Sequence, residues 1–241
     1  MKDSIVIIPT YNEKENIEKM IRYVMAMDHD FHILVIDDGS PDGTGAIVDR
    51  LSEEFRDRVF VEHREGKLGL GTAYIHGFKW ALKHEYEFVY EMDADFSHNP
   101  DDLIRLRQKC LDGADLAIGS RYISGINVIN WPLGRVLMSY GASMYVRMVT
   151  RMPVMDATAG FKCYRRKVLE KIPFGKIRMK GYGFQIELKF TAWKYGFNVQ
   201  EVPIIFTDRQ EGTSKMSGGI FSEAFFGVIK MKLRSFFRKY K

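Results

Sequence analysis

Short apolar runs alternate with stretches of helical period through the first half of this chain. "SIVIIP" (4–9), "FHILVID" (31–37), "VFVEHR" (59–64), "EFVYEMD" (87–93) and "ADLAIGSR" (114–121) predict strands, because each is a brief apolar block bounded by polar turn residues. Between them, "KENIEKMIRYVMAM" (14–27), "GTGAIVDRLSEEF" (43–55), "LGTAYIHGFKWALKH" (70–84) and "PDDLIRLRQKCL" (100–111) predict amphipathic helices. That alternation builds a mostly parallel sheet covered on both faces, with ligands outside the carboxyl ends of its strands. The second half is less regular. Residues 133–151 and 183–196 read as helices, and "NVQEVPIIFT" (198–207) as one strand with Pro203 at a sheet edge. A polar, glycine-rich loop, "DRQEGTSKMSGG" (208–219), follows. The division expected is a main α/β unit over 1–218 and an amphipathic helix over 219–241.

That last segment carries apolar residues at 221, 225, 228, 229, 233, 236, 237 and 240, and cations at Lys230, Lys232, Arg234, Arg238, Lys239 and Lys241. A phenylalanine-rich face with a basic flank is the pattern of a helix lying in a membrane interface. No run of about 18 apolar residues occurs, so a peripheral attachment is expected and not a span. "IVII" near the start is too short for a signal peptide. The net charge of +5 favours anionic partners, but its concentration at one amphipathic end argues against nucleic acid. Cys110 and Cys163 form no ligand spacing and read as reduced buried thiols, which fits the cytoplasm.

Three strands run into polar turns: "PTYNE" (9–13), "IDDGSPDG" (36–43) and "DADFSH" (93–98). On a parallel sheet these ends share one edge, so Asp37, Asp38, Asp93 and Asp95 are expected to crowd one crevice with Glu13 beside it. Taken singly each motif has a plainer reading: solvated turn acids, a helix cap at Thr10 or Asn12, or glycines in "GLGTAYIHG" that let a helix approach a strand. The last of these lacks the G-K-[ST] of a phosphate-binding loop. On an extended strand Asp93 and Asp95 point the same way, about 7 Å apart at Cα. Such a pair suits a hard dication, Mg²⁺ or Mn²⁺, that is completed by diphosphate oxygens.

Together, "PTYNE", "IDDGSPDGT", "KLGLGTAYIHG", "MDADFSH", "GSRY" and "DATAGFKCYRR" resemble the dolichyl-phosphate (polyprenyl-phosphate) mannose synthases of the inverting glycosyltransferase family 2, over about residues 3 to 230. The resemblance implies a Rossmann-like α/β GT-A fold. It also implies transfer of mannose from GDP-mannose to a polyprenyl phosphate, giving a β-linked lipid phosphosugar and GDP. It places Pro9, Tyr11 and Glu13 around the nucleotide, and Ile36 and Asp38 at the base and ribose. Asp93, Ala94 and Asp95 match the D-x-D segment, with Asp95 the main metal ligand and Asp93 its helper. Arg121, Arg209 and Lys215 match phosphate-binding cations.

A phosphate monoester is already largely ionised at neutral pH, so its attack needs little or no general base. The stretch "GYGFQIELKF" lacks the Glu-Asp pair of relatives that glycosylate hydroxyls. Gln185 is expected to position substrate, and neither it nor Glu187 to act as an essential base. The catalytic set expected is therefore Asp95, Arg121 and Gln185. One departure stands out: "SYGAS" puts Tyr140 where the family often has arginine, with Arg135 close by. The terminal helix is expected to hold the enzyme on the cytoplasmic face of a membrane, and leaves room for a small membrane subunit as partner. The competing readings are a related transferase using UDP-glucose or another nucleotide sugar, a D-x-D phosphatase, and a non-catalytic nucleotide-sugar-binding protein.

Overall fold

A computed structural model of the chain describes residues 3–179, 181–208 and 220–240. Its first half follows the expected alternation: β1 (Ser4–Thr10), α1 (Ile17–Met25), β2 (Phe31–Asp37), α2 (Thr44–Glu54), β3 (Val59–His63), α3 (Leu70–Lys83), β4 (Phe88–Glu91), α4 (Asp102–Leu111) and β5 (Leu116–Ser120). The second half runs β6 (Val128–Ile129), α5 (Leu133–Thr150), β7 (Lys162–Arg165), α6 (Arg166–Lys171), α7 (Gly181–Lys194), β8 (Val199–Pro203), β9 (Phe206–Thr207) and α8 (Ile220–Phe237).

The main sheet has the order β3-β2-β1-β4-β7-β5-β8. All its pairings are parallel except those of β7, which lies antiparallel between β4 and β5. The architecture is thus the mostly parallel one expected, and Pro203 lies on an edge strand. Strand β7 and helix α6 were not legible, because "KCYR" is short and carries charge at both its ends. The single strand expected over 198–207 is two strands. β8 joins the main sheet, while β9 pairs with β6 in a separate ribbon.

Period-two alternation divides the strands between two cores. Ile5, Ile7, Leu34 and Ile36 face α3 and α7. Val6, Ile8, Ile33 and Val35 face α1, α2 and α4. Helix α3 comes very close to β1, since a Cβ on Gly77 would sit 2.7 Å from Ile7 Cγ2. Gly77 thus allows the helix–strand approach of the plainer reading and Gly71 an approach to Phe184, while Gly69 takes a left-handed φ of 99° ahead of α3. Helix α8 packs on α5 and α7, and Val228 and Met231 join the first core. The expected boundary at 218/219 falls among residues 209–219, outside the described ones.

Candidate active site

β1, β2 and β4 are neighbours in the sheet, so their carboxyl ends do gather as expected. The acids there have different fates. Asp37 is buried, accepting the Thr10 hydroxyl at 3.0 Å and the Ser40 amide at 3.1 Å. Asp38 is held by Arg64, whose Nε donates to Oδ1 at 2.6 Å, while the Leu68 amide donates to Oδ2 at 3.2 Å. Neither is a surplus charge facing the crevice, which corrects the expected crowd of four. The turn after β2 uses Asp37 to satisfy its own amide, and the loop between β3 and α3 uses Asp38 to satisfy its donors. Ile36 has no exposed surface, because its side chain alternates onto the α3 face, so the expected contact with the base is not made by that side chain. Pro9, near the end of β1, and Tyr11 and Glu13, after it, stand partly exposed, with the Lys67 ammonium 4.8 Å above the Tyr11 ring.

The D-x-D segment is not on an extended strand. β4 stops at Glu91, and residues 92–98 form a loop in which Phe96 takes the left-handed φ of 56°. Ala94 is buried, Asp93 is half-buried, and Asp95 is nearly covered, with the Ser97 amide donating to its Oδ1 at 3.1 Å. The Tyr74 hydroxyl reaches Asp93 at 3.5 Å.

Glu91, the first acid of "YEMDAD", faces the interior. It lies opposite Lys162 in the β4–β7 register, and the Lys162 ammonium is 3.1 Å from its carboxylate. Both side chains are fully buried. The Tyr164 hydroxyl donates to Glu91 at 2.8 Å and Gln185 Nε2 donates at 2.7 Å. Lys162 also donates to Gln185 Oε1. Burial pulls the Lys162 ammonium below its usual range, opposed by Glu91 and, more weakly, by Asp93. Gln185 thus has both ends of its amide fixed by charged partners, and it lines the cavity described below. Glu187 accepts the amides of Arg178 and Met179, each at 2.8 Å, so its carboxylate braces a loop.

Arg121 follows β5 and is clamped by Asp156, with Nε and Nη2 each donating at 2.6 Å to separate carboxylate oxygens. Nη2 also donates to the Thr158 hydroxyl at 2.8 Å. Burial pushes the Asp156 carboxyl up, but the guanidinium outweighs it and holds the carboxyl below the usual range. Asp156 is kept in place in turn by Glu201, which accepts the backbone amides of Met155 and Asp156. "DATAGFKCYRR" carried the resemblance as a motif, but only the fold reveals that its Asp156 orients Arg121 and its Lys162 neutralises Glu91. Arg209 and Lys215 lie outside the described residues.

One cavity, of about 410 Å³, takes in the polar side chains of Asp93, His98, Arg121, Thr158 and Gln185. Its walls continue through Trp131, Met138, Tyr145 and Val146, and then through Phe225 and Val228 of α8. Arg135 also borders it, 4.0 Å over the Trp131 ring and paired with Asp208 at 2.8 Å. In "SYGAS", Ser139 accepts the Tyr122 hydroxyl and Tyr140 meets the Tyr122 ring edge-on. His98 stacks on Phe161 and is pushed down to a pKa of about 4 by burial.

Among the described residues no group of three or more His, Cys, Asp or Glu side chains is placed to hold a metal. A cation here would therefore rely on Asp95 and Asp93 with ligand oxygens completing its shell, which is how Mg²⁺ and Mn²⁺ are commonly held beside phosphates. Two carboxylates of one loop are the donors available, and they do not form an all-protein cage.

The model for Glycosyl transferase family 2 matches residues 5–173. A polyprenol monophosphomannose synthase of Mycolicibacterium smegmatis is 50% identical over 231 residues, covering 96% of this chain and 87% of that protein. An undecaprenyl-phosphate mannosyltransferase of Micrococcus luteus is 43% identical over 229 residues, covering 95% and 93%. Among solved structures, glucosyl-3-phosphoglycerate synthase from Mycobacterium tuberculosis, in complex with Mn²⁺, UDP and glucosyl-3-phosphoglycerate, superposes with a TM-score of 0.69 at 19% identity, over 97% of this chain and 80% of that one. At that identity the likeness speaks for the fold alone, and it agrees with the GT-A arrangement expected. The chain belongs to glycosyl transferase family 2.

Proposed function

We propose that the protein transfers mannose from GDP-mannose to a polyprenyl phosphate, with inversion, releasing GDP and leaving a β-linked polyprenyl phosphate mannose. The observation that carries this reading is the mixed lining of one cavity. An acid of the D-x-D loop and a buried arginine border it together with apolar side chains of α5 and α8. A nucleotide sugar suits the charged groups and an isoprenoid suits the apolar ones. The names of the two curated relatives agree with the choice of mannose and of a polyprenyl acceptor.

In this reading Asp95, assisted by Asp93, holds Mg²⁺ or Mn²⁺, which supplies neutralising charge for the diphosphate leaving group. Arg121, its donor edge held by Asp156, brings a fixed positive charge to phosphate oxygens. Arg135 stands at the cavity wall, where the acceptor phosphate enters past Trp131. The acceptor oxygen is already anionic, so no side chain has to remove its proton. Gln185, with its amide locked, positions and does not titrate.

The outer surfaces of α5 and α8 support a membrane-surface setting. Leu133 (72% exposed), Leu137, Met144 and Met148 (75%) form one stripe on α5. On α8, Ile229, Leu233, Phe236 (70%) and Phe237 (91%) are exposed, close to Lys230, Arg234 and Arg238. The helix expected to be interfacial is therefore both anchored in the core and apolar outside. Among the described residues no helix is long and apolar enough to cross a membrane.

The deciding assay incubates the protein with a short polyprenyl phosphate and either GDP-mannose or UDP-glucose. GDP release is expected only when GDP-mannose and lipid are both present, and is expected to stop on chelation and return with Mn²⁺ or Mg²⁺. Transfer from UDP-glucose alone would overturn the donor assignment. Lipid-independent GDP release would overturn the acceptor assignment.

A further inference from the structure

Glu91 and Lys162 have no role in the chemistry above, yet they are the most completely buried ion pair beside the cavity. A buried pair is a weak stability device, because desolvating two charges offsets most of their attraction. This pair is also tied to the cavity on two sides. Gln185, which lines it, accepts from Lys162 and donates to Glu91, so the three side chains close a triangle. Two residues beyond Glu91 the chain reaches Asp93, which lines the same cavity. The triangle joins three elements, β4, β7 and α7, and Tyr164 of β7 adds a further hydrogen bond to Glu91.

We propose that Glu91 and Lys162 are positioning residues: their triangle with Gln185 fixes which end of that amide faces the substrate and where the loop bearing Asp93 begins. A carboxamide alone can present either its oxygen or its nitrogen. Here a cation holds the oxygen and a carboxylate holds the nitrogen, so one orientation survives. The inference rests on the reading of this cavity as the transfer site.

Removing one charge leaves the other buried without a partner and is expected to harm folding. The informative variants keep the interior neutral. One is Glu91→Gln combined with Lys162→Met. The other is Gln185→Met, which leaves the ion pair intact. Each is expected to unfold within a few degrees of wild type and to bind GDP within about threefold of its affinity, since neither removes a D-x-D carboxylate or the Arg121 guanidinium. Each is expected to lose tenfold or more in kcat for mannose transfer from GDP-mannose to the short polyprenyl phosphate. Because both remove the same orientation, combining them should cost little more than either alone. Lys162→Arg, which keeps the cation, should retain most of the rate. Wild-type kcat in the stable paired variant, or losses that multiply on combination, would overturn the proposal.

A substrate-free readout keeps the two readings apart. In ¹⁵N spectra the Gln185 side-chain amide protons should exchange slowly in wild type and fast in the paired variant. Equal exchange in both would sink the triangle even if no transfer were found. Slow exchange in wild type, loss in the variant and no wild-type transfer from GDP-mannose would leave the triangle standing and remove the assigned reaction.

Discussion

His98 and Asp156 show how burial near the site makes single residues sensitive to pH in ways the sequence does not announce. His98 is fully covered and held neutral, with its pKa pushed down from 6.5 to about 4. The unfolded chain takes up that proton as the pH falls through about 6.5, whereas the folded protein does so only near 4. Stability from this residue is therefore fully present above about pH 6.5 and declines down to about 4, by about 3 kcal/mol at the limit. Urea unfolding at pH 7 and pH 4.5 should show a smaller pH loss in His98→Phe than in wild type. An unchanged loss would mean that the imidazole is solvated. Asp156 has the same sign for a different reason. Its carboxyl is lowered, so its pairing with Arg121 persists down to the ordinary carboxylate range and fails below it. In sequence both are ordinary polar letters, and only their burial gives them these properties.

At the scale of elements, the close packing of α3 on β1 rests on a missing side chain. A Cβ at Gly77 would meet Ile7 at 2.7 Å, and one at Gly71 would meet the Phe184 ring at 2.8 Å. Gly77→Ala should therefore destabilise the fold by about 1–3 kcal/mol, the usual range for overpacking, despite the better helix propensity of alanine. Chemical denaturation measures it, and a neutral or stabilising result would show that β1 and α3 can move apart. The first five strands and four helices were legible because their apolar period is clean and their turns carry Asp, Gly and Pro. Strand β7 was not, for its Lys162 looks like surface charge until Glu91 is found opposite it. The end of β4 was misjudged for a related reason. "EFVYEMD" continues its apolar alternation past Glu91, but the left-handed Phe96 and the turn bonded by Asp95 take the chain off the sheet.

Over the whole molecule, charged side chains of the D-x-D loop and of Arg121 share one cavity with apolar side chains of α5 and α8. If that pair rests on a bilayer, replacing Met148, Phe236 and Phe237 with aspartate should abolish sedimentation with anionic phosphatidylglycerol vesicles, leaving GDP binding within about twofold. Each basic residue near such a surface adds about 1 kcal/mol, so raised salt should weaken but not eliminate the wild-type interaction. Undiminished sedimentation of the triple variant would remove these helices as the contact.

The sequence alone determined the α/β alternation, the gathering of β1, β2 and β4 ends, and the D-x-D segment with its family likeness. All of these follow from local period, turn chemistry and motif order, which neighbouring residues encode. The tertiary structure decided which acids remain available to a ligand. Asp37 is engaged by its own turn and by Thr10, Asp38 by an arginine 26 positions away, Glu91 by a lysine 71 positions away, and Arg121 by an aspartate 35 positions away. The physical reason is that a buried charge is defined by its partner across the fold, and no stretch of neighbouring residues contains that partner.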